Sequence, residues 1–433
     1  MSEPSRTERS PLPRPAEPTD PEVAIVGAGP AGLLLGLLLA LRGRRVLLVE
    51  REDEPVLGAP GNGICPILQP ATLGILDRLG LLPELTANTT PVTHGEVTAG
   101  GAPVASYAYA DLPGVLVPFA LPTSIIRLRD VLTAAVRATP GAELAYGATV
   151  RALPQRDGSA PGVRGLELED AQGVRTLYPS LIVGCDGKRS AVREMAGISA
   201  PARAFKRGYT ELRLPLPTSW GPVMRAAFTP DGYVLGTPIA DETLLFAWIT
   251  GPDTAGEAVD GPLAALAERY AQAVPQAADW IREHTTDRSQ VREFLHHIVR
   301  PERWTDGNVF LVGDSAHGVH VYGGQGLNLS LQDAACVATA ADEAMTAGDT
   351  AALRRFEELR RPFTEAFQAM QEAHLDALAA RAGQQVGGGA GHLPDFAPLA
   401  LGQSELRAAF ATAVPEDAPS FPAAVPTGSG AGR

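Results

Sequence analysis

The chain has 433 residues, of which 45% are hydrophobic, and it carries a formal net charge of −13. This length suits two or three domains or one large composite domain, and the apolar content excludes global disorder. The acidic balance argues against nucleic acid and anionic membrane surfaces as partners, since both call for a basic face.

In chain order, residues 1–20 are rich in proline and mixed charge without periodicity. They read as a disordered tail with no secretory leader. Short apolar strands are expected at Val23–Val26 and Val46–Val49, around a helix over 31–42. The run near 33–41 is too short to span a bilayer. An amphipathic helix follows at 129–138, then strands at 149–153, 165–168 and 177–183. Residues 205–250 alternate apolar and polar positions and are rich in Tyr, Phe, Trp and Thr. They predict an antiparallel sheet distinct from the first unit. Helices are expected at 263–270 and 277–282, a buried strand at 309–312, and helices at 327–347 and 351–356, the last continuing past Pro362 to about residue 380. From 384 the chain reads as loop and tail, with a few helical turns at 405–413. Cys65, Cys185 and Cys336 are far apart and read as reduced, with neither disulfide nor zinc.

The first motif lies in VAIVGAGPAGLLLGLLLALRGRRVLLVERE, residues 23–52. Gly27, Gly29 and Gly32 stand in Gly-x-Gly-x-x-Gly spacing, with Pro30 and Ala31 opening the helix. In a dinucleotide site the first glycine permits the tight turn. The second lets backbone approach a pyrophosphate, and the third lets the helix pack on the sheet. The helix start then offers free N–H groups and partial positive charge to the phosphates. Glu50 ends the second strand at the spacing of a ribose-hydroxyl acceptor. Arg51 follows, placed either to reach the pyrophosphate or to face solvent. A lone glycine fingerprint is weak, but this one follows a strand, opens a helix and is completed by a strand ending in Glu. It does not by itself choose between FAD and NAD.

The second motif is GDSAHGVHVYGGQGLNLSLQDA, residues 313–334. Asp314 at the strand tip suits a ribityl hydroxyl. The glycine tract at 323–326 lets backbone lie against a flat ring. The helix starting near Leu327 aims partial positive charge at that ring, and a reduced flavin carries negative charge near N1 and the C2 oxygen. Gly324, Gly326, Leu327 and Asn328 are the natural contacts.

These segments, together with VGCDGKRSAVR (183–193), RLRDVLTAAV (127–136) and FEELRRP (356–362), resemble the class A flavoprotein aromatic monooxygenases. The resemblance to this p-hydroxybenzoate hydroxylase-like family covers roughly residues 21–380. It implies an α/β fold: a Rossmann-like FAD-binding domain, an interleaved antiparallel β-sheet substrate domain and C-terminal helices. The implied FAD-binding domain takes residues 21–80, 100–200 and 290–345. The substrate domain takes 81–99 and 201–289, the C-terminal helices 346–383, and loop and tail most of 384–433. The resemblance puts Arg129, rather than Arg127, on FAD, with Val150 and Asp186 as further cofactor residues. The bare alternative for Asp186-Gly187 is an ordinary turn. FAD is non-covalent in this reading. NAD(P)H docks transiently, since no second glycine fingerprint exists. The implied reaction is reduction of FAD by NAD(P)H, formation of a flavin C4a-hydroperoxide with O2, and hydroxylation or epoxidation of an aromatic or polyketide-like small molecule in secondary metabolism.

One departure concerns the loop before the glycine tract. The family commonly has Pro-Pro there, and this chain has His320-Val321-Tyr322, which frees torsions and restores N–H groups. His320 and Tyr322 are the candidates to face the substrate and to act in catalysis. His317 reads as satisfying loop backbone. His296-His297 stands apart from carboxylates, and no metal site is read there. Trp220, Phe228, Tyr233, Phe246 and Trp248 read mostly as core, with one or two lining an aromatic pocket. Arg213 and Arg225 read as solvated or as meeting an acidic substrate. A same-fold reductase or halogenase, and a non-catalytic flavin-binding protein, are the alternative readings. The Trp-x-Trp-x-Ile-Pro segment of flavin halogenases is absent. A cytoplasmic monomer or homodimer is the expected state.

Overall fold

The computed structural model describes residues 11–17, 20–57, 63–87, 89–159, 162–205, 209–230, 232–250, 261–294, 296–381, 400–419 and 421. Val23–Val26 is wholly buried and pairs in parallel with Val46–Val49 on one side and Leu181–Gly184 on the other. Ala142–Ala145 extends the sheet at one edge; Val309–Leu311 and the short antiparallel Thr305–Asp306 extend it at the other. Buried parallel strands read as continuous apolar runs, as these do, because helices cover both faces. Helix Pro30–Leu41 starts with proline, whose missing N–H costs nothing at that position. It is apolar on nearly every side because it lies between the sheet and helices Ile125–Ala138 and Gly326–Ala347. Gly36 permits the close approach, since a Cβ there would stand 2.9 Å from Leu48.

A seven-stranded sheet runs in the order Val291–Phe294, Tyr209–Pro215, Thr243–Thr250, Gly232–Ile239, Val223–Thr229, His94–Ala99, Ala102–Ala108. All its pairs are antiparallel except that between Val223–Thr229 and His94–Ala99. Alternation sorts its side chains onto two faces. Leu212, Val234, Phe246 and Trp248 pack on one face with Tyr270 and Ile281, from helices Leu263–Ala273 and Ala278–His284. Tyr233, Leu235, Leu245, Ala247 and Ile249 occupy the other and line a cavity.

The boundaries drawn from sequence at 99/100 and 289/290 cut through this sheet. Ala102–Ala108 joins it by a turn at Gly100-Gly101, with φ of 55° and 81°, and Val291–Phe294 joins it by pairing with Tyr209–Pro215. The strand expected at 177–183 is two strands in different sheets. Gly173–Leu177 pairs with Leu166–Asp170, while Leu181–Gly184 enters the parallel sheet. Pro179 between them has no N–H for a ladder. The helix expected at 129–138 begins at Ile125, where Ser124 Oγ accepts the Ile126 N–H at 3.2 Å. Helices Pro70–Arg78 and Leu82–Thr86 were not anticipated. The last long helix runs unbroken from Ala351 to Arg381 through Pro362.

The described part of the N-terminal segment is docked, contrary to the disordered reading: the Leu12 N–H donates to Gly348 O at 2.9 Å. Near the other end, helix Arg407–Thr412 places Phe410 in the main core with Leu406 and Ala413. The tail readings at 1–10, 382–399 and 422–433 lie outside the described residues. No helix among the described residues is long and apolar enough to cross a membrane.

Candidate active site

The two sheets enclose a cavity of about 690 Å³. One wall carries Gly29, Pro30 and Ala31 from the glycine turn, Lys188, Asp314, and residues 323–327. The opposite wall is the inner face of the seven-stranded sheet, with Met224, Phe228, Tyr233 and Thr237.

The glycine turn has the geometry its spacing predicts. Gly27 has φ +104°, and a Cβ there would stand 2.5 Å from Cys185 O. A Cβ on Gly32 would stand 2.0 Å from Gly27 O. At Gly29 a Cβ would meet nothing within 4 Å, so that position opens onto free space. Glu50 Oε2 accepts the Ala28 N–H at 2.9 Å and Oε1 accepts the Glu52 N–H at 3.1 Å. The carboxylate thus braces the turn and keeps lone pairs for further donors. Arg51 is 77% exposed and pairs with Glu52.

Three further predicted residues share one property. Asp314 Oδ1, Asp186 Oδ1 and Arg129 Nε are each buried without a hydrogen-bond partner among the described residues. Asp186 Oδ2 accepts the Val192 N–H at 3.0 Å, and Arg129 pairs with Asp130 at 3.2 Å. Unpaired buried polar atoms are rare and call for an explanation. A ligand rich in hydroxyl and phosphate oxygens supplies the missing partners, so these residues fit FAD. Val150 differs. It is buried in the main core on strand Thr149–Ala152 and has no polar side-chain atom to offer a cofactor.

In the second motif, Gly323 and Gly324 have φ of 85° and 64°, and Gly324 faces open space. Helix Gly326–Ala347 starts immediately after, leaving its first N–H groups without intrahelical partners. The Asn328 side chain is committed elsewhere. Its Oδ1 accepts the Gln69 N–H at 2.9 Å, and its Nδ2 donates to Ile67 O at 2.9 Å. Only the Asn328 backbone is left for a cofactor.

His317 does not satisfy loop backbone. Its Nε2 pairs with Asp333, whose other oxygen accepts from Arg360 Nε at 2.7 Å. Burial pushes the Asp333 carboxyl up, but Arg360 and His317 outweigh it and hold the group below its usual range. His320 and Tyr322 both line the cavity. His320 Nδ1 accepts the Tyr322 N–H at 3.1 Å. Tyr322 lies edge-on to Tyr233 and stacks on His374, and burial raises its hydroxyl to about 12. In place of the missing prolines stands Gln371. Its Oε1 accepts the His320 N–H at 3.0 Å, and its Nε2 donates to His320 O and Tyr322 O at 2.8 and 2.6 Å.

Phe228 and Tyr233 line the cavity, whereas Trp220, Phe246 and Trp248 are core. Arg213 is held by Glu211 and Gly63 O, and Arg225 by Glu96 and Trp220 O, so neither is merely solvated. Sequence reasoning considered His296 only as a metal ligand and did not place it in the cavity, where it joins His320 on the wall with ring centroids 5.2 Å apart. Strand His297–Val299, paired to Ala202–Ala204, carries it there, and no local motif announces that placement.

This arrangement, a glycine-turn sheet and an antiparallel sheet closing on one chamber, defines a p-hydroxybenzoate hydroxylase-like flavoprotein. The family model described as "FAD binding domain" matches residues 20–371. Protoasukamycin 4-monooxygenase of Streptomyces nodosus subsp. asukaensis is 33% identical over 81% of this chain and 86% of its own. The 6-methylpretetramide 4-monooxygenase of Streptomyces rimosus is 30% identical over 74% of this chain and 75% of its own. Among solved structures, PqsL of Pseudomonas aeruginosa superposes with a TM-score of 0.73 at 23% identity, over 84% of this chain and 97% of its own, a likeness of fold. The chain belongs to the FAD-binding-domain family of flavoprotein monooxygenases and is an FAD-dependent monooxygenase. FAD is its cofactor, and NAD(P)H is the usual reductant of such enzymes.

Proposed function

We propose that this enzyme hydroxylates an aromatic or polyketide-like small molecule in secondary metabolism, within the cytoplasm, using O2 and NAD(P)H. The observation that carries the reading is the continuity of the cavity. It runs from the glycine turn at Gly29 to the aromatic face of Phe228 and Tyr233, so cofactor and substrate share one chamber. The relatives' names, protoasukamycin and 6-methylpretetramide 4-monooxygenase, support a ring substrate.

In this reading Gly29 and the start of helix Pro30–Leu41 take the FAD pyrophosphate, and Glu50 takes the ribose. Asp314 takes a ribityl hydroxyl, while Arg129 and Asp186 complete the set. Gly324, Gly326, Leu327 and Asn328 present backbone to the flavin ring. Bound FAD supplies the reduction–oxygenation chemistry, and the chain supplies orientation and water exclusion. Apolar walls at Leu235, Ala247 and Ile249 keep water from the reacting edge. The start of helix Gly326–Ala347 directs partial positive charge toward negative charge on a reduced ring.

The test is incubation of FAD-loaded protein with NAD(P)H, 18O2 and a panel of phenolic and polyketide ring compounds. The expected result is substrate-stimulated NAD(P)H oxidation and one 18O atom in a product. Oxidation that no ring compound stimulates, with all 18O recovered in hydrogen peroxide or water, would defeat the proposal.

A further inference from the structure

His296 and His320 come from segments 24 residues apart, and both belong to the cavity wall. Their rings meet edge to face, with Phe205 against His320 at 4.9 Å and Tyr209 against His296 at 6.0 Å. Each ring leaves Nε2 buried and without a partner among the described residues. For His320 the polarity of that atom is fixed. Its Nδ1 accepts the Tyr322 N–H, so the neutral ring carries its proton on Nε2. The wall therefore holds a hydrogen-bond donor to which the described residues offer no acceptor.

The charge acting on both rings is the cation of Lys188. Lys188 lines the same cavity and donates to Val319 O, next to His320. Burial first, then Lys188 and the neighbouring imidazoles, push both rings down to about 3. Both rings are therefore neutral at physiological pH, and the site carries a donor beside a cation. A substrate carbonyl or oxyanion completes it; an all-hydrocarbon edge leaves the donor stranded.

We infer that His320 Nε2–H, flanked by His296 and Lys188, forms an oxygen-recognition subsite that selects ring substrates presenting a phenolate, carboxylate or carbonyl oxygen. The inference rests on the reading of this cavity as the substrate chamber. It replaces the loop prolines of the family with a group that speaks directly to the ligand.

Binding rather than turnover tests it, so it can fail or stand independently of the oxygenation result. The FAD-loaded enzyme is dialysed to equilibrium against 4-nitrophenolate and, separately, nitrobenzene, which lacks the acceptor oxyanion. The wild type should prefer 4-nitrophenolate by about ten-fold or more. His320→Asn keeps an oxygen near the Nδ1 position for the Tyr322 N–H but loses the Nε2 donor. It should abolish the preference while leaving nitrobenzene affinity and flavin content unchanged. His320→Gln, which can still extend an N–H, should restore part of it, and His296→Phe should reduce it. Equal affinity of the wild type for the two probes, no binding of either, or a preference that survives in His320→Asn overturns the subsite.

Discussion

At His320 the backbone N–H donates to Gln371 Oε1, a bond that a proline at that position has no hydrogen to make. Gln371 is completely buried and answers three backbone groups of the loop at once. Replacing it by Leu strands a donor and two acceptors, each worth about 1–3 kcal/mol when buried unpaired. Gln371→Leu should therefore keep its flavin but raise the hydrogen peroxide formed per product several-fold, measured by peroxide assay beside product quantification. Asp314→Ala makes the opposite split. It removes a carboxylate whose Oδ1 has no protein partner, so the fold has little to lose. FAD affinity should fall about ten-fold or more while the apoprotein melts as before, read by flavin-to-protein ratio and thermal unfolding.

Among the elements, the glycine turn yields the sharpest contrast. A methyl at Gly32 collides with Gly27 O, whereas a methyl at Gly29 enters open space. Gly32→Ala should lower stability of the apoprotein by a few kcal/mol, about the cost of forced overpacking. Gly29→Ala should leave apoprotein stability intact and weaken FAD binding, as urea unfolding with and without added FAD will separate. This turn was legible in the sequence because strand, turn and helix are contiguous and each glycine has a local steric reason. The second sheet was half legible. Alternation at 205–250 marked its central strands, but Val291–Phe294 is recruited by pairing with Tyr209–Pro215 about 80 residues upstream, and the hairpin of His94–Ala99 and Ala102–Ala108 by the pairing of His94 with Val223, 129 residues on. Asn328 was read as a flavin contact, and the structure commits its side chain to Gln69 and Ile67. The cavity placement of His296 and the bracing by Gln371 were invisible for the same reason. Their roles exist only once a strand and a long helix bring them to one loop.

Across the whole molecule, acid should be felt through the buried imidazoles. In the unfolded chain they titrate near 6.5, and in the folded protein burial and Lys188 hold His296 and His320 at about 3. Between those values the unfolded state binds more protons, so stability declines as pH falls, by up to about 1.4 kcal/mol per pH unit per group. Urea midpoints followed from about pH 7 to pH 4.5 should drop, and the drop should be shallower in a His296→Gln, His320→Gln double variant. Arg360 ties distant parts together in another way: fully buried, it bridges Asp333 and Gln403, joining the second motif to the C-terminal segment. Arg360→Ala leaves Asp333 with His317 alone and should cost about 3–5 kcal/mol. Gln368 and Gln371 of the same helix grip Gly318, His320 and Tyr322 from 49 to 51 residues away. A proline carries its constraint in its own ring and travels with any loop into which it is transplanted. Here the constraint belongs to a pair of segments. Grafting residues 318–322 into a proline-bearing relative would move the letters without the shape, unless the two glutamines moved with them.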